Sequence, residues 1–504
     1  MPAATIAADT PAQRRSVRHV LRTPRLLRTE VLGGLVVALA LIPEAIAFSI
    51  IAGVDPRIGL FASFTMAVTI AFVGGRPAMI SAATGAVALV IAPLVASHGL
   101  DYLIATILLA GVLQIVLAAV GVAKLMRFVP RQVMVGFVNA LAILIFLAQV
   151  PELLGVPWLV YPLTALALLI IFGLPRLTRA VPAPLVAILV LTAVTVAAGL
   201  AVPTVGDKGA LPDSLPSLVV PDVPVSLETL RVIFPYAIAV AVVGLLESLM
   251  TAKLVDDVTD TRSNKTREAW GQGVANLVTG LFGGMGGCAM IGQTTINVKA
   301  SGARSRISTL LAGVFLLLLV VALGDLVALI PMAALVATMI FVSVATFDWH
   351  SIRPSTLRAL PKSETAVMVV TVVFTVATSN LAIGVAAGVL TATVLFARRV
   401  AHLVTLERTI EDDVARPGAR LARYVVTGEL FFASSNDLYS QFDYGGDPER
   451  VVIDMRRSHI WDASTVAALD AVSTKYLERG IDVEIVGLNK ASEYMHTRMS
   501  GKLS

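Results

Sequence analysis

A single cysteine, Cys288, in a chain of 504 residues excludes any intramolecular disulfide and any multi-cysteine zinc site. Charge is scarce too. Only 14% of the residues are Asp, Glu, Lys or Arg, against roughly a quarter in soluble domains. With 57% hydrophobic residues and a mean hydropathy of +0.84, this is not the composition of a soluble enzyme. The net charge of +5 does not signal nucleic acid, because most basic residues flank apolar runs, where they set orientation. No enzymatic activity, cofactor, metal or nucleic-acid partner is expected.

What the chain has in abundance is apolar runs of about 17–25 residues between Val31 and Val400, the length of a bilayer core. About fourteen segments can be read, near 31–50, 57–73, 80–96, 101–121, 132–149, 158–173, 182–201, 229–252, 270–286, 290–299, 305–323, 325–345, 365–379 and 381–399. Backbone groups cannot stay unpaired in lipid, so nearly all should be helical. The expected organisation is an N-terminal segment 1–30, a transmembrane domain 31–400 with repeats about 31–201 and 229–400, a linker 401–420 and a small domain 421–504.

Arg14, Arg15, Arg18, Arg22, Arg25 and Arg28 precede the first segment and place the start of the chain in the cytoplasm. That segment is long, contains Glu44 and lacks a small-residue cleavage pattern, so it does not read as a cleaved signal peptide. The remaining basic clusters fall on loops of the same side: Lys124, Arg127 and Arg131; Arg176 and Arg179; Lys253, Arg262, Lys265 and Arg267; Lys299, Arg304 and Arg306. The loop 201–228, with Asp207, Asp213 and Asp222 against Lys208, falls outside.

Two stretches read almost alike: "FVGGRPAMISAATGAV" (72–87) and "LFGGMGGCAMIGQTTI" (281–296). They enter the third and tenth segments, an odd number of spans apart, so the repeat is inverted in the membrane. The tenth segment is too short to span, and the third is interrupted at Thr84-Gly85 and Pro93. Interrupted segments at matching places in two inverted halves point to a transporter binding site. A helix that starts in mid-membrane presents unpaired N–H groups and about half a positive charge, so two such ends hold an anion without a lysine or arginine. Thr84, Gly85 and Ala86 on one side and Gly292, Gln293, Thr294 and Thr295 on the other are the candidate anion-binding residues. The competing reading is that the small residues, especially the glycines at 74–75 and 283–284, only let helices pack closely.

These residues resemble a known family. "LIPEAIAFSIIAGVDPRIGLFAS" (41–63), "LLESLMTAKLVDDVTD" (245–260), "GQGVANLVTGLFGG" (271–284) and "GQTTINVKASGARS" (292–305) are similar to the sulfate permease (SulP) family, the solute carrier 26 anion transporters. "VVTGELFFASSNDL" (425–438) with "VVIDMRRSHIWDASTVAALD" (451–470) resembles a STAS domain. The resemblance implies an α-helical membrane protein of 14 segments in a seven-plus-seven inverted repeat, with core and gate subdomains, two broken half-helices and a cytoplasmic α/β STAS domain. It also implies a homodimer and an anion site between the third and tenth helices, to which Phe48 of the first signature is added. Members move sulfate, chloride, bicarbonate, oxalate or other carboxylates. This chain departs from the family twice: Glu44 stands where many relatives carry glutamine, and Gln293 where many carry arginine.

Ionisable groups within a span are costly and usually functional. Glu44 follows Pro43 halfway along the first segment; Glu247 lies in the eighth, with Ser248 and Thr251 at i+1 and i+4. An ionised glutamate repels a bound anion, so proton–anion symport is expected, with Glu44 the first and Glu247 the second proton carrier. The alternatives are that each glutamate only caps or bonds a broken helix, or that Glu247 and Thr251 hold a sodium ion, since carboxylate and hydroxyl oxygens suit hard cations. Asn139, Asn276 and Asn297 read as interhelical hydrogen-bonding groups, Asp256, Asp257 and Asp260 as a solvated face, His98 as a solvated loop residue and Cys288 as packing. In the tail, Ser464 of "Asp-Ala-Ser" reads as a helix N-cap, or as a regulatory phosphosite. The expected function is secondary active transport of a small anion by an elevator-like movement in the inner membrane. A dicarboxylate such as fumarate, sulfate and bicarbonate are all open as cargo. An anion-sensing signalling protein acting through a cytosolic STAS partner and a passive channel are the alternatives.

Overall fold

The computed structural model describes residues 16–125, 129–177, 182–401, 404–413, 416 and 418–502; Arg14, Arg15, Arg127 and Arg179 lie outside them. The chain divides into two compact units, Met1–Val389 and Leu390–Ser504.

In the first unit a short helix α1 (Val17–Arg22) leads into α2 (Pro24–Ala52) and α3 (Pro56–Val73). An extended pair, β1 (Ser81–Ala82), precedes α4 (Gly85–Val120), a short α5 (Val122–Leu125), α6 (Arg131–Leu147), α7 (Val160–Leu177) and α8 (Ala183–Ala197). The second half repeats the plan: α9 (Leu227–Thr259), α10 (Lys265–Leu281), β2 (Cys288–Ala289) and α11 (Ile291–Thr295), which runs on as a π-helical turn Ile296–Ala300. Then follow α12 (Arg306–Ala328), α13 (Met332–Thr346), a short α14 (Pro354–Ala359), α15 (Lys362–Thr378) and α16 (Leu381–Ala401), within which the boundary between the two units falls. Among the described residues, eight helices are long and apolar enough to cross a bilayer.

The third and fourth expected segments run through α4 as two helical stretches on either side of a break at Gly99 (φ 80°), a conformation that glycine adopts at no steric cost. α12 is likewise interrupted where the break between 323 and 325 is expected, at Leu323, which leaves helical angles. A second interruption follows at 329–331, before Met332.

The helices pack as two groups: α2, α3, α4, α9, α10 and α12 against one another, and α6, α7, α8, α13 and α15 against one another. They meet along a seam where α2 touches α13 and α4 touches α6. In the first group β1 and β2 cross antiparallel, pairing Ser81 with Ala289 and Ala82 with Cys288, and Met290 N–H donates to the Ile80 carbonyl at 2.9 Å. Glycine permits the crossing: a Cβ on Gly287 would stand 2.0 Å from the Ala82 carbonyl oxygen. The glycines at 74–75 and 284 are close-packed too, with Gly75 against the start of α10 and Gly284 against Ala62 and Thr279.

A belt of buried polar groups ties the basic end of this group together. Glu30 accepts from the amides of Arg304 (2.8 Å), Ser305 (3.0 Å) and Ser308 (3.2 Å), fixing α2 to the start of α12. Glu268 accepts from the amides of Gly75 (2.7 Å) and Arg76 (2.9 Å). The Arg76 guanidinium reaches Asp256 (3.0 Å) and Thr261 (2.8 Å), and Arg306 donates to the Gly74 carbonyl. Asp256, expected on a solvated face, is therefore a hub that also takes Lys265 at 2.8 Å. Asn276 and Asn297 bond between helices as expected, to Gln114 and Ser308, and also reach Gly287 and Ala78; Asn139 instead bonds Ser351 in the loop after α13.

The second unit holds a sheet of order β3-β4-β5-β6: β3 (Thr405–Asp412), β4 (Arg420–Leu430), β5 (Arg450–Ile460) and β6 (Asp482–Val486). The first pair is antiparallel and the other two are parallel, with α17 (Phe432–Ser440), α18 (Ala463–Leu477) and α19 (Lys490–Met499) among the strands. β3 falls within the expected linker. Its residues are almost all exposed, so this edge strand carries no apolar alternation to read. The Asp447 carboxylate, whose side chain is wholly buried, takes Arg408 and the hydroxyls of Tyr424 (2.7 Å) and Tyr476 (2.5 Å). Burial, with the neighbouring Asp447, raises both phenols above their ordinary value.

Two outcomes follow. Gly287→Ala should lower the thermal stability of the detergent-purified protein by several degrees or abolish folding, because the overlap at Ala82 is with backbone. Gly292→Ala, where a Cβ meets nothing within 4 Å, should leave stability unchanged. The second unit should also lose stability as pH rises above about 10, where unfolded tyrosines ionise and the folded Tyr424 and Tyr476 resist. Faster hydrogen exchange in peptides spanning 421–477 at high pH would report it.

Candidate functional site

The crossing of β1 and β2 brings two helix starts into the interior of the first helix group. At the first, Thr84 is the N-cap of α4, its hydroxyl accepting from Val87 N–H at 3.4 Å. Gly85 and Ala86 follow, both buried, with first-turn amides that have no intrahelical acceptor. The Phe48 ring and the Ile145 side chain close over Gly85: a Cβ there would stand 2.9 Å from Phe48 Cε1 and 3.2 Å from Ile145 Cδ1. A larger residue would push these two side chains aside.

At the second, Met290 occupies the N-cap position without a side-chain bond, and α11 begins at Ile291. Gly292 is exposed, and Gln293 is buried with its Oε1 lacking a partner among the described residues. The Gln293 side chain faces the carboxyl of Glu44, which keeps partial exposure just beyond Pro43 in α2. Thr294 is buried but committed elsewhere: its hydroxyl accepts from Ile80 N–H at 3.0 Å and so holds the approach to β1. Thr295 is half-buried one position on.

Glu247 lies behind the crossing. Its carboxylate accepts from the Cys288 thiol at 3.0 Å, and that sulfur is 3.2 Å from Thr84 Oγ1. Ser248 Oγ accepts from Ala289 N–H at 3.0 Å. The Thr251 hydroxyl donates to the Glu247 carbonyl at 2.7 Å and lies 3.3 Å from the Ala289 carbonyl. The structure thus gathers Phe48, Thr84, Gly85 and Ala86 at one helix start, Glu44, Gly292 and Gln293 at the other, and Glu247 and Thr251 along β2. It turns Thr294 away.

Cys288 requires a correction. It is not merely packing but the bridge between Glu247 and the cap of α4. Its place in β2, opposite Ala82, is decided by strand pairing that no local pattern displays. Ser464 is also corrected. Asp462 caps α18, accepting from Thr465 N–H at 3.0 Å, because Asp462 is the residue with extended backbone just before the helix. Ser464 is the second helical residue and is exposed. His98 is exposed but lies on α4, one residue before the Gly99 break, with Nδ1 2.8 Å from Ser97 Oγ.

An α-helical membrane unit built from inverted halves, with two helix starts crossing in its interior, defines the architecture of a secondary transporter. The chain belongs to the sulfate permease family, whose profile it matches over residues 27–161 and 156–371, and it carries a STAS domain, matched over 415–500. It is 53% identical over 474 residues to the YbaR protein of Bacillus subtilis (strain 168), whose name assigns it to sulfate transport; the match covers 94% of this chain and 97% of YbaR. The transmembrane domain of a cyanobacterial bicarbonate transporter, BicA, superposes with a TM-score of 0.64 at 25% identity, covering 73% of this chain and 97% of that domain. The murine solute carrier 26 family member A9, in its inward-facing state, shares the fold with a TM-score of 0.79 at 17% identity, covering 94% of this chain and 87% of that one. The protein is a multi-pass membrane protein of an anion-transporter family.

Removing the bridge tests its role in the site. Cys288→Ala leaves an acceptor on Glu247 and the Thr84 hydroxyl without their shared partner, at a cost of about 1–3 kcal/mol. Cys288→Ser keeps a donor and should recover most of that loss in thermal unfolding of the purified protein.

Proposed function

We propose that this protein is a proton-coupled symporter of a small anion, held between the starts of α4 and α11. The observation that carries the reading is the contact between Glu44 and Gln293. An acidic side chain and an unpartnered buried amide oxygen stand together at a helix start suited to an anion. An ionised Glu44 beside an anion is repulsive, whereas a protonated Glu44 has a hydrogen to give, and either end of the amide can turn towards the carboxyl. The proton and the anion then enter the site as a neutral pair.

Sulfate and bicarbonate are the cargo suggested by the names of the relatives, and a dicarboxylate such as fumarate fits a site that has a glutamine in place of the family arginine. The two helix groups, joined along one seam, suit an elevator-like movement of the first group against the second. The positive loops support a cytoplasmic N-terminus and STAS domain for a protein of the inner membrane, and the family resemblance supports a homodimer. Ser464, exposed in the first turn of α18, is the candidate regulatory site for a cytosolic partner.

A second reading has one observation in its favour. Glu247, Thr251 and the Ala289 carbonyl present oxygens around one place along β2, a donor set suited to sodium.

Uptake of labelled sulfate, bicarbonate and fumarate into proteoliposomes separates these readings. An inward proton gradient should accelerate one of the three anions, and Glu44→Gln should lower that acceleration about tenfold, equivalent to ~1.4 kcal/mol. Acceleration by sodium alone, lost in Glu247→Gln and Thr251→Val, would move the coupling to β2. Absence of saturable flux without a partner protein would favour the sensing role, and conductance far above carrier turnover a channel.

A further inference from the structure

Two cavities lie on the seam between the helix groups, at opposite ends of α6. One, of about 340 Å³, is lined by Arg131, Val135 and Val138 of α6 together with Lys253 of α9 and Ile291 at the start of α11. The other, of about 300 Å³, is lined by Ala148 and Gln149 just past α6, by Ile50 and Leu89, and by Leu335 of α13. From Val138 to Ala148 the helix rises about 15 Å. The intervening stretch is largely buried: Asn139, Ala140, Leu141, Ala142, Leu144 and Ile145 all lie inside.

Within that stretch Ile145 is the residue that crosses the seam to the start of α4, where it packs on Gly85 beside Phe48. Phe48 and Gly85 belong to the first helix group, Ile145 to the second. The contact over Gly85 is made by two apolar side chains, and Ile145 lies on the stretch of α6 that separates the two cavities. Apolar constrictions of this kind stop ions by excluding the water that hydrates them.

We propose that Ile145 is the barrier residue of this transporter: with Phe48 it seals the Gly85 end of α4 and keeps the two cavities from joining. This rests on the transport reading above and goes beyond it, because it assigns to α6 the difference between a carrier and a leak. As the first group slides, Gly85 leaves Ile145 and the seal breaks on one side only while another part of the group covers the opening.

The test uses the full chain in proteoliposomes loaded with labelled sulfate and without any ion gradient. Ile145→Ala should raise passive sulfate efflux severalfold and weaken its saturation, while Ile145→Val, which keeps the branched side chain, should behave like the unaltered protein. Equal efflux from the Ala variant and the unaltered protein, with saturable uptake intact in both, overturns the barrier. If the unaltered protein takes up none of sulfate, bicarbonate or fumarate under any gradient, the transport reading itself fails and the barrier falls with it. Should Ile145→Ala not fold, labelling of Val138→Cys and Ala148→Cys by a membrane-impermeant maleimide decides instead. Each should react from one side of the membrane only, and from opposite sides. Reaction of either from both sides at equal rates overturns the proposal.

Discussion

Four residues of paired backbone, Ser81 and Ala82 against Cys288 and Ala289, carry the architecture of the membrane unit. An interrupted helix in an apolar layer exposes amides and carbonyls that lipid cannot satisfy. Here each interruption supplies partners for the other, so two breaks are sustained where one alone would be expensive. Everything chemical in the unit follows from that crossing: the free first turn of α4, the placement of Gln293 against Glu44, and the thiol that reaches both Glu247 and Thr84. Gly287, next to β2, is a glycine because a Cβ there would collide with the Ala82 backbone of the partner strand.

A crossing held by so few bonds needs rigid surroundings, and the buried carboxylates at the basic end provide them. Glu30 and Glu268 each accept backbone amides from a segment distant in sequence, and Arg76 joins Asp256 on α9 to the loop before β1. A buried charge that loses such partners is strongly destabilising, so these contacts hold six helices together as one packed group. The seam against the second group is, by contrast, interrupted by two cavities.

Much of this was legible in the residues. The repeated Gly-Gly and Ala-Met-Ile stretches, their separation by an odd number of apolar runs and the acidic residues inside two of those runs located the broken segments and both glutamates. The asparagines were read as interhelical bonding groups; Asn276 and Asn297 bond that way, and Asn139 bonds the loop after α13. Thr294 was read with Thr84 because the two stretches look alike. Thr84, however, is the N-cap of its own helix, whereas Thr294 is already the fourth residue of α11 and reaches across to the Ile80 backbone. Asp256 and Cys288 were read from their immediate neighbours, and their real partners lie 180 and 41 residues away. β3 went unread because a strand exposed along nearly its whole length leaves no apolar period.

The sequence alone determined the membrane character, the two-part organisation, the inverted repeat and the family, because hydrophobic length, charge placement and local motifs are properties of contiguous residues. Only the tertiary structure decided which helix start meets which carboxyl, that a lone thiol links Glu247 to the cap of α4, and that Ile145 rests on Gly85. Those are contacts between segments far apart in the chain, fixed by antiparallel pairing and close packing, and no local period or motif records them.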